Sequence, residues 1–105
     1  METSVFAEIE RYEPDKHVHV PVFKGERTQV LLLCLSAGLA VPPHTHPGFE
    51  VTLQPLRGKA VLPTADGSEL ALEPGRLYCL DGAQSFNPKN PHPEPFQMLI
   101  HLIKK

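Results

Sequence analysis

Hydrophobic and polar residues alternate over short stretches of this chain, and most stretches end at a turn signal such as Lys-Gly, Pro-Gly or Asp-Gly. Alternation with a period of two residues, together with β-branched and aromatic side chains, predicts β-strands. Only residues 1–14 show a helical pattern, and that pattern is weak. The alternation predicts eight strands, at residues 17–23, 28–36, 39–41, 49–53, 59–62, 69–72, 77–80 and 96–103.

Short strands with turn signals about every 8–12 residues are typical of an all-β sandwich or barrel. The chain has 105 residues, which corresponds to one domain. It shows no linker, internal repeat or low-complexity tract. We therefore predict one all-β domain at residues 17–105, preceded by an N-terminal arm at residues 1–16.

Two strands indicate how their faces are buried. Residues 30–35 are apolar on both faces, so both faces should be covered. Residues 49–54 alternate, with polar side chains at the even positions and apolar ones at the odd positions. If the polar face lines a cavity, the apolar face needs separate cover, which a second subunit would supply. We therefore predict a homodimer.

Composition narrows the function classes. The formal net charge is −2 and the ten basic residues form no cluster, which argues against a nucleic-acid partner. No apolar run reaches the ~18 residues of a membrane span. The acidic start lacks a hydrophobic leader, so we expect a cytoplasmic protein. Cys34 and Cys79 lie in apolar runs without metal-site or redox spacing, which predicts two buried free thiols.

The segment VPPHTHPGFE, residues 41–50, carries the clearest chemistry. His44 and His46 alternate with one residue, so in an extended segment their imidazoles lie on the same side. The preceding prolines restrict the backbone, and Pro47-Gly48 turns the chain so that Glu50 can approach the pair. Two imidazoles and a carboxylate suit a divalent zinc, iron, manganese, nickel or copper ion. The alternative is a polar loop in which the histidines only form hydrogen bonds.

The same segment resembles the first motif of the cupin superfamily. Gly38 is followed by five residues, His44-Thr45-His46, three residues and Glu50. The closing glycine, Gly58, comes after seven residues where the family has six, which predicts a β-bulge around Pro55. The resemblance covers roughly residues 17–103 and implies a double-stranded β-helix, or jelly roll, with a metal held by His44, His46 and Glu50.

The second cupin motif is similar in layout but not in chemistry. Leu80-Asp81-Gly82 stands where the family has Pro-x-Gly, and Ser85 stands where the family has its fourth metal ligand, a histidine. The family's asparagine position falls on Lys89, with Asn87 nearby.

A serine hydroxyl is a poor ligand for a divalent transition metal, so three outcomes stay open. The two histidines and Glu50 hold the metal alone, another side chain such as Gln84 replaces the missing ligand, or the site binds metal weakly or not at all.

The other four histidines are interpreted as non-ligands. His92 lies seven residues beyond Ser85, and an extended segment of that length covers about 20 Å. His101, near the basic C-terminal end, is expected at the surface. His17 and His19 also alternate, but no acidic residue follows at short spacing, so we predict a solvated or interface face.

Function divides into two classes. The resemblance implies a metal-dependent enzyme on a small organic molecule, with dioxygenase, isomerase and decarboxylase as candidates. The second class is a non-catalytic module that binds a small polar ligand, with or without a weak metal site. A third reading is an assembly domain with a vestigial site. Fold resemblance does not choose among them. The predicted ligand-contacting residues are Thr52, Gln54, Gln84 and Ser85.

Overall fold

The computed structural model describes all 105 residues and contains one short helix and seven strands. Residues 39–41 were predicted as a strand but are not one, because Ala40 forms only an isolated bridge with Lys89. The other predicted strands are present. The elements are α1 (Phe6–Ile9), β1 (Val18–Lys24), β2 (Thr28–Leu35), β3 (Phe49–Arg57), β4 (Ala60–Pro63), β5 (Glu69–Leu72), β6 (Tyr78–Asp81) and β7 (Phe96–Lys104).

The strands form two antiparallel sheets. The larger has five strands in the order β1-β2-β7-β3-β6, and the smaller consists of β4 and β5. After β6, the chain runs beside the small sheet, where Lys89 bridges Val61. This is the predicted all-β jelly-roll architecture. The structure has no helix with the length and apolar character that crossing a membrane requires.

The interior between the sheets is filled by alternate side chains of β2, β3 and β7. Leu33, Val51, Leu53 and Ile100 are almost completely buried there, together with Phe96. Neighbouring residues on the same strands point outward, as the period of two requires. The small sheet closes the other side with Ala60, Leu62 and Leu72.

The N-terminal arm covers part of the outer face of the large sheet. A second apolar cluster contains Leu32, Cys34 and Leu99, and Phe6, Ile9 and Tyr12 of the arm pack against it. Both faces of β2 are therefore covered, as predicted, and the cover on the outer face comes from the same chain.

Polar contacts hold this arm in place. Gln97 Nε2 donates hydrogen bonds to Glu10 Oε2 (2.6 Å) and to the Tyr12 hydroxyl (3.3 Å), and Ser36 Oγ donates to the backbone oxygen of Glu13. Burial raises the pKa of Tyr12 to about 12, so its hydroxyl stays protonated in this contact over the ordinary pH range.

The faces of β3 are oriented opposite to the arrangement that the homodimer prediction required. Its apolar face, with Val51 and Leu53, is the barrel interior and is covered by the chain itself. Its polar face, with Glu50, Thr52 and Gln54, points outward. The reason given for the homodimer is therefore wrong, and the homodimer itself stays a prediction.

The extra residue before Gly58 is absorbed as predicted. The pairing of β3 with β7 shifts register between Pro55 and Arg57, which marks a bulge. Gly58 then has a φ of 74°, and a Cβ there would overlap the backbone oxygen of Pro95. This position therefore requires glycine.

Asn90 ties the segment after β6 to the core. It is 1% exposed, and its Nδ2 donates to the backbone oxygens of Leu35 (3.0 Å) and Glu94 (2.8 Å). Its Oδ1 accepts a hydrogen bond from the backbone N–H of His92 (3.1 Å). One side chain thus bonds three backbone groups, at the end of β2 and in the segment before β7.

Asn90→Ala should lower the free energy of unfolding by about 2–4 kcal/mol, because it removes three hydrogen bonds to the backbone, one of them buried. Urea denaturation measures the change. The matched control is Asn87→Ala, whose half-buried amide makes no hydrogen bond within the protein and should cost less than about 0.5 kcal/mol. Equal losses in the two variants would contradict the role assigned to Asn90.

Candidate functional site

The histidine loop, residues 41–48 between β2 and β3, is held by backbone hydrogen bonds to the segment after β6. His44 and Phe86 exchange two such bonds, of 3.3 and 3.1 Å, and His46 N–H donates to the oxygen of Gly82 (2.7 Å). The ring centroids of His44 and His46 lie 5.0 Å apart with planes at 89°. The two imidazoles are therefore neighbours, as the alternation predicted.

The orientation of His44 is fixed by its own loop. Its Nδ1 lies 3.0 Å from the backbone oxygen of Pro42. The oxygen can only accept, so Nδ1 carries the proton and donates it, which leaves Nε2 as the acceptor nitrogen of the neutral ring. Burial, followed by the charge of His44, lowers the pKa of His46. The neutral form of His46 therefore dominates at neutral pH.

Glu50 does not join the histidine pair. It is exposed on the outer face of β3, opposite Asp81 of β6 and Ile103 of β7. No group of three or more His, Cys, Asp or Glu side chains is positioned to hold a metal ion. The set of His44, His46 and Glu50 that the motif predicts therefore does not fit a metal ion in this structure.

The outer face around Glu50 has a cavity of its own. It measures about 550 Å³ and includes Thr52, Asp81 and Lys105 among its lining residues. Lys105 forms an ion pair with Asp81 that holds the pKa of that carboxyl below its usual range. Thr52 thus lies on a surface away from His44 and His46, and Gln54 lines no cavity.

Ser85 does not lie beside His44 and His46 either. The position that corresponds to the family's fourth ligand is one residue later than the sequence count predicted. Ser85 is exposed, whereas the next residue, Phe86, is 1% exposed and packs against both imidazoles. Its ring centroid is 4.4 Å from that of His44 and 6.0 Å from that of His46. Counting four residues forward from Phe86 reaches the buried Asn90, the family's asparagine position. A phenyl ring therefore stands where the family has its fourth ligand.

Gln84 and Ser85 contribute instead to a second space beside Phe86. This Phe86 cavity measures about 390 Å³ and lies between β6, the edge strand of the large sheet, and the β4–β5 sheet. Its twelve lining residues are Leu62, Pro63, Thr64, Ala65, Leu70, Tyr78, Cys79, Leu80, Gln84, Ser85, Phe86 and Asn87.

His17 and His19 come close to the histidine loop, a proximity that was not predicted from the sequence. His19 pairs with the interior residue Leu33 across β1 and β2, so its side chain lies on the interior face. Together with His17 and His44, it lines a cavity of about 220 Å³. Burial, then the charges of His17, His44 and His46, lower the pKa of His19 to about 4. The sequence feature that could have indicated this proximity is the His-x-His spacing, which occurs at residues 17–19 and again at residues 44–46.

The remaining predicted positions give one agreement and two corrections. Cys34 is buried as predicted, but Cys79 is exposed, because it lies on the outward face of the edge strand β6. His101 is only partly exposed, and its Nδ1 is buried without a hydrogen-bond partner, so its placement at the surface was wrong. His92 lines a separate surface cavity with Lys59 and Glu94.

Comparison with known proteins adds evidence on the fold. No protein-family model and no curated protein sequence matches the chain. Solved structures do match. The TT1209 protein of Thermus thermophilus is 27% identical, with a TM-score of 0.89 over 99% of this chain and 98% of that one. A Klebsiella pneumoniae protein with a double-stranded β-helix domain is 19% identical, with a TM-score of 0.90 over 99% and 90%.

An RmlC-like cupin protein from Desulfovibrio desulfuricans is 15% identical, with a TM-score of 0.87 over 98% of this chain and 96% of that one. This chain has the cupin fold. At these identities the likeness to the Klebsiella and Desulfovibrio proteins concerns the fold alone, so the function of this chain has to be argued from its own side chains.

Gly82 lies against the backbone of the histidine loop, and its substitution tests whether it positions that loop. A Cβ at residue 82 would overlap the backbone oxygen of His46 and lie 2.6 Å from that of Phe49. Gly82→Ala should therefore lower the free energy of unfolding by about 2–4 kcal/mol. It should also shift the ring signals of His44 and His46 in ¹H–¹⁵N NMR spectra.

The control is Gly25→Ala, whose Cβ would press on the exposed ring of Phe23, 3.0 Å away. That ring can move, so the expected cost is below about 1 kcal/mol and the histidine signals should not change. Unchanged histidine signals in Gly82→Ala would show that Gly82 does not position the loop.

Proposed function

We propose that this cupin is a binding module for a small, neutral organic molecule, which occupies the Phe86 cavity. The observation that carries the proposal is the combination of size and lining. A volume of about 390 Å³ falls within the range of about 300–1,000 Å³ of known small-molecule pockets. Seven of its twelve lining residues are hydrophobic, so burial of apolar ligand surface supplies most of the binding free energy.

The polar groups of the Phe86 cavity indicate the class of ligand. None of its lining residues is Asp, Glu, Lys, Arg or His. An ionised ligand would lose its hydration there without gaining a partner of opposite charge. The side chains of Gln84, Ser85 and Asn87 make no hydrogen bonds within the protein, so they can bond a hydroxyl, carbonyl or amide group. A largely apolar molecule with one or two such groups fits this lining.

The arrangement of the predicted metal ligands favours a small-molecule binding module over a metal-dependent enzyme. Glu50 lies on the outer face of β3, and Phe86, not Ser85 or Gln84, packs against the two histidines. Dioxygenase or isomerase chemistry on a metal held by His44, His46 and Glu50 has no support in this geometry. A ligand in the Phe86 cavity contacts residues that the structure does bring together.

The proposal is tested with 2-naphthol as a neutral probe and 2-naphthoate as its anionic match. We expect 2-naphthol to bind with a dissociation constant between about 0.1 mM and a few millimolar, and 2-naphthoate to bind at least about tenfold more weakly. Amide shifts in ¹H–¹⁵N spectra should concentrate at Leu80 and residues 84–87.

A matched pair of variants locates the bound probe. Ala65 and Ala83 are both exposed, but only Ala65 lines the Phe86 cavity. Ala65→Trp should fill part of the cavity and weaken 2-naphthol binding by about tenfold or more, whereas Ala83→Trp should leave it unchanged. Equal effects of the two variants, shifts centred on Lys59 and His92, or equal binding of the anion would each refute the proposal.

A further inference from the structure

Strand β6 is a free edge of the large sheet, and this edge borders the Phe86 cavity. β6 pairs with β3 on one side, and no ladder joins its other side to the β4–β5 sheet. Cys79 and Leu80, in the middle of β6, line the cavity together with Leu62 and Leu70 of the small sheet. One wall of the cavity is therefore the edge of a strand that has no neighbour there.

The hydrogen-bond register shows which backbone groups of β6 point toward this edge. In an antiparallel pair, facing residues alternate between bonded and non-bonded pairs. Gly82 N–H donates to the oxygen of Phe49 (2.8 Å), so the next bonded pair along β6 is at Leu80. Cys79 then forms a non-bonded pair with Thr52. Its N–H and its carbonyl oxygen therefore point away from β3, toward the cavity.

The groups on either side of Cys79 along this edge already have partners. The hydroxyl of Tyr78 donates to the backbone oxygen of Ala71 (2.7 Å), which bridges β6 to β5 at the start of the gap between them. At the other end, the backbone oxygen of Asp81 accepts a hydrogen bond from the N–H of Gln84 (2.9 Å). The N–H and carbonyl of Cys79 lie between these contacts and have no strand to pair with.

One amino-acid unit in an extended conformation complements these two groups. Two residues in a bonded antiparallel pair exchange both of their N–H···O bonds, so the partner of Cys79 needs an N–H and a C=O on either side of one carbon atom. Positions along a strand alternate between its two faces, and the side chain of Cys79 is exposed on the outer face. The group attached to the amino end of the bound unit therefore points inward, toward Phe86 and Leu62.

We propose that the ligand of the Phe86 cavity is a neutral peptide-like molecule, such as an N-acylated amino acid amide, whose amino-acid unit bonds the backbone of Cys79. This inference rests on the proposed function and narrows its ligand class. The backbone of β6 orients the ligand, and an apolar acyl group fills the space beside Phe86. Peptides that add to sheet edges divide recognition in the same way, between main-chain bonds and side-chain pockets. The uncharged lining excludes a free carboxylate from the cavity.

Titration of the unmodified protein with three probes tests this ligand class. The probes are 2-naphthol, N-(2-naphthoyl)glycine N-methylamide, and the ester analogue of that amide in which oxygen replaces the glycine N–H. We expect the glycine amide to bind at least about fivefold more tightly than the ester analogue, which has no donor for the oxygen of Cys79. Equal affinities of these two, with 2-naphthol still bound, would overturn the peptide-like ligand and leave the proposed function in place. Absence of binding by all three would refute both.

A pair of variants tests the N–H of Cys79. Proline is tolerated on an edge strand where its nitrogen faces away from the neighbouring strand, so Cys79→Pro removes the N–H without removing a bond to β3. Cys79→Ala also lacks the thiol but keeps the N–H. We expect Cys79→Pro to bind the glycine amide at least about fivefold more weakly than Cys79→Ala does. Equal affinities of the two variants would contradict the bond to the backbone.

Hydrogen exchange of the unmodified protein gives a measurement that does not depend on variants folding. In the free protein, the N–H of Cys79 should exchange rapidly with water, and the N–H of Leu80, which points toward β3, should exchange slowly. Saturation with the glycine amide should slow the exchange of Cys79 by about tenfold or more. A Cys79 N–H that is already protected in the free protein, or that stays unprotected in the complex, would overturn the proposal.

Discussion

The side chains of β3 alternate between the barrel interior and the outer surface, and this alternation determines which residues can reach the histidine loop. Val51 and Leu53 are buried in the interior, each about 1% exposed or less. If the two faces of β3 were exchanged, Val51 and Leu53 would become exposed and the carboxylate of Glu50 would be buried without a partner. Each of these changes would destabilise the fold by several kcal/mol. Glu50 is therefore excluded from the interior by its neighbours on the same strand, whatever the spacing from His46 suggests.

The loop that carries His44 and His46 depends in turn on the segment after β6. Backbone bonds to Phe86 and Gly82 fix its path, and Asn90 anchors the same segment to β2. Gly82 can be so close to His46 only because it has no side chain. The segments that correspond to the first and second cupin motifs are thus connected by backbone hydrogen bonds. These hydrogen bonds form whether or not both segments supply metal ligands.

The strands and the bulge in β3 were predictable because each follows from local spacing, whereas the composition of the site depends on burial and register. Counting along the second motif gave Ser85, and only burial shows that the interior position belongs to Phe86. The approach of His17 to the loop depends on the pairing of β1 with β2, which puts His19 opposite Leu33 and so on the interior face. Periodicity identifies the face that two histidines share, but not whether that face is turned inward.

Phe86 separates the proposed ligand cavity from the histidine loop. Its ring contacts the imidazole of His44, and it also lines the cavity between β6 and the small sheet. A molecule in that cavity is therefore separated from the imidazole of His44 by a phenyl ring, which neither binds a metal nor transfers a proton. Chemistry at the histidines would require the substrate to reach those imidazoles. The position of Phe86 thus supports a binding module whose ligand is held apart from the histidines.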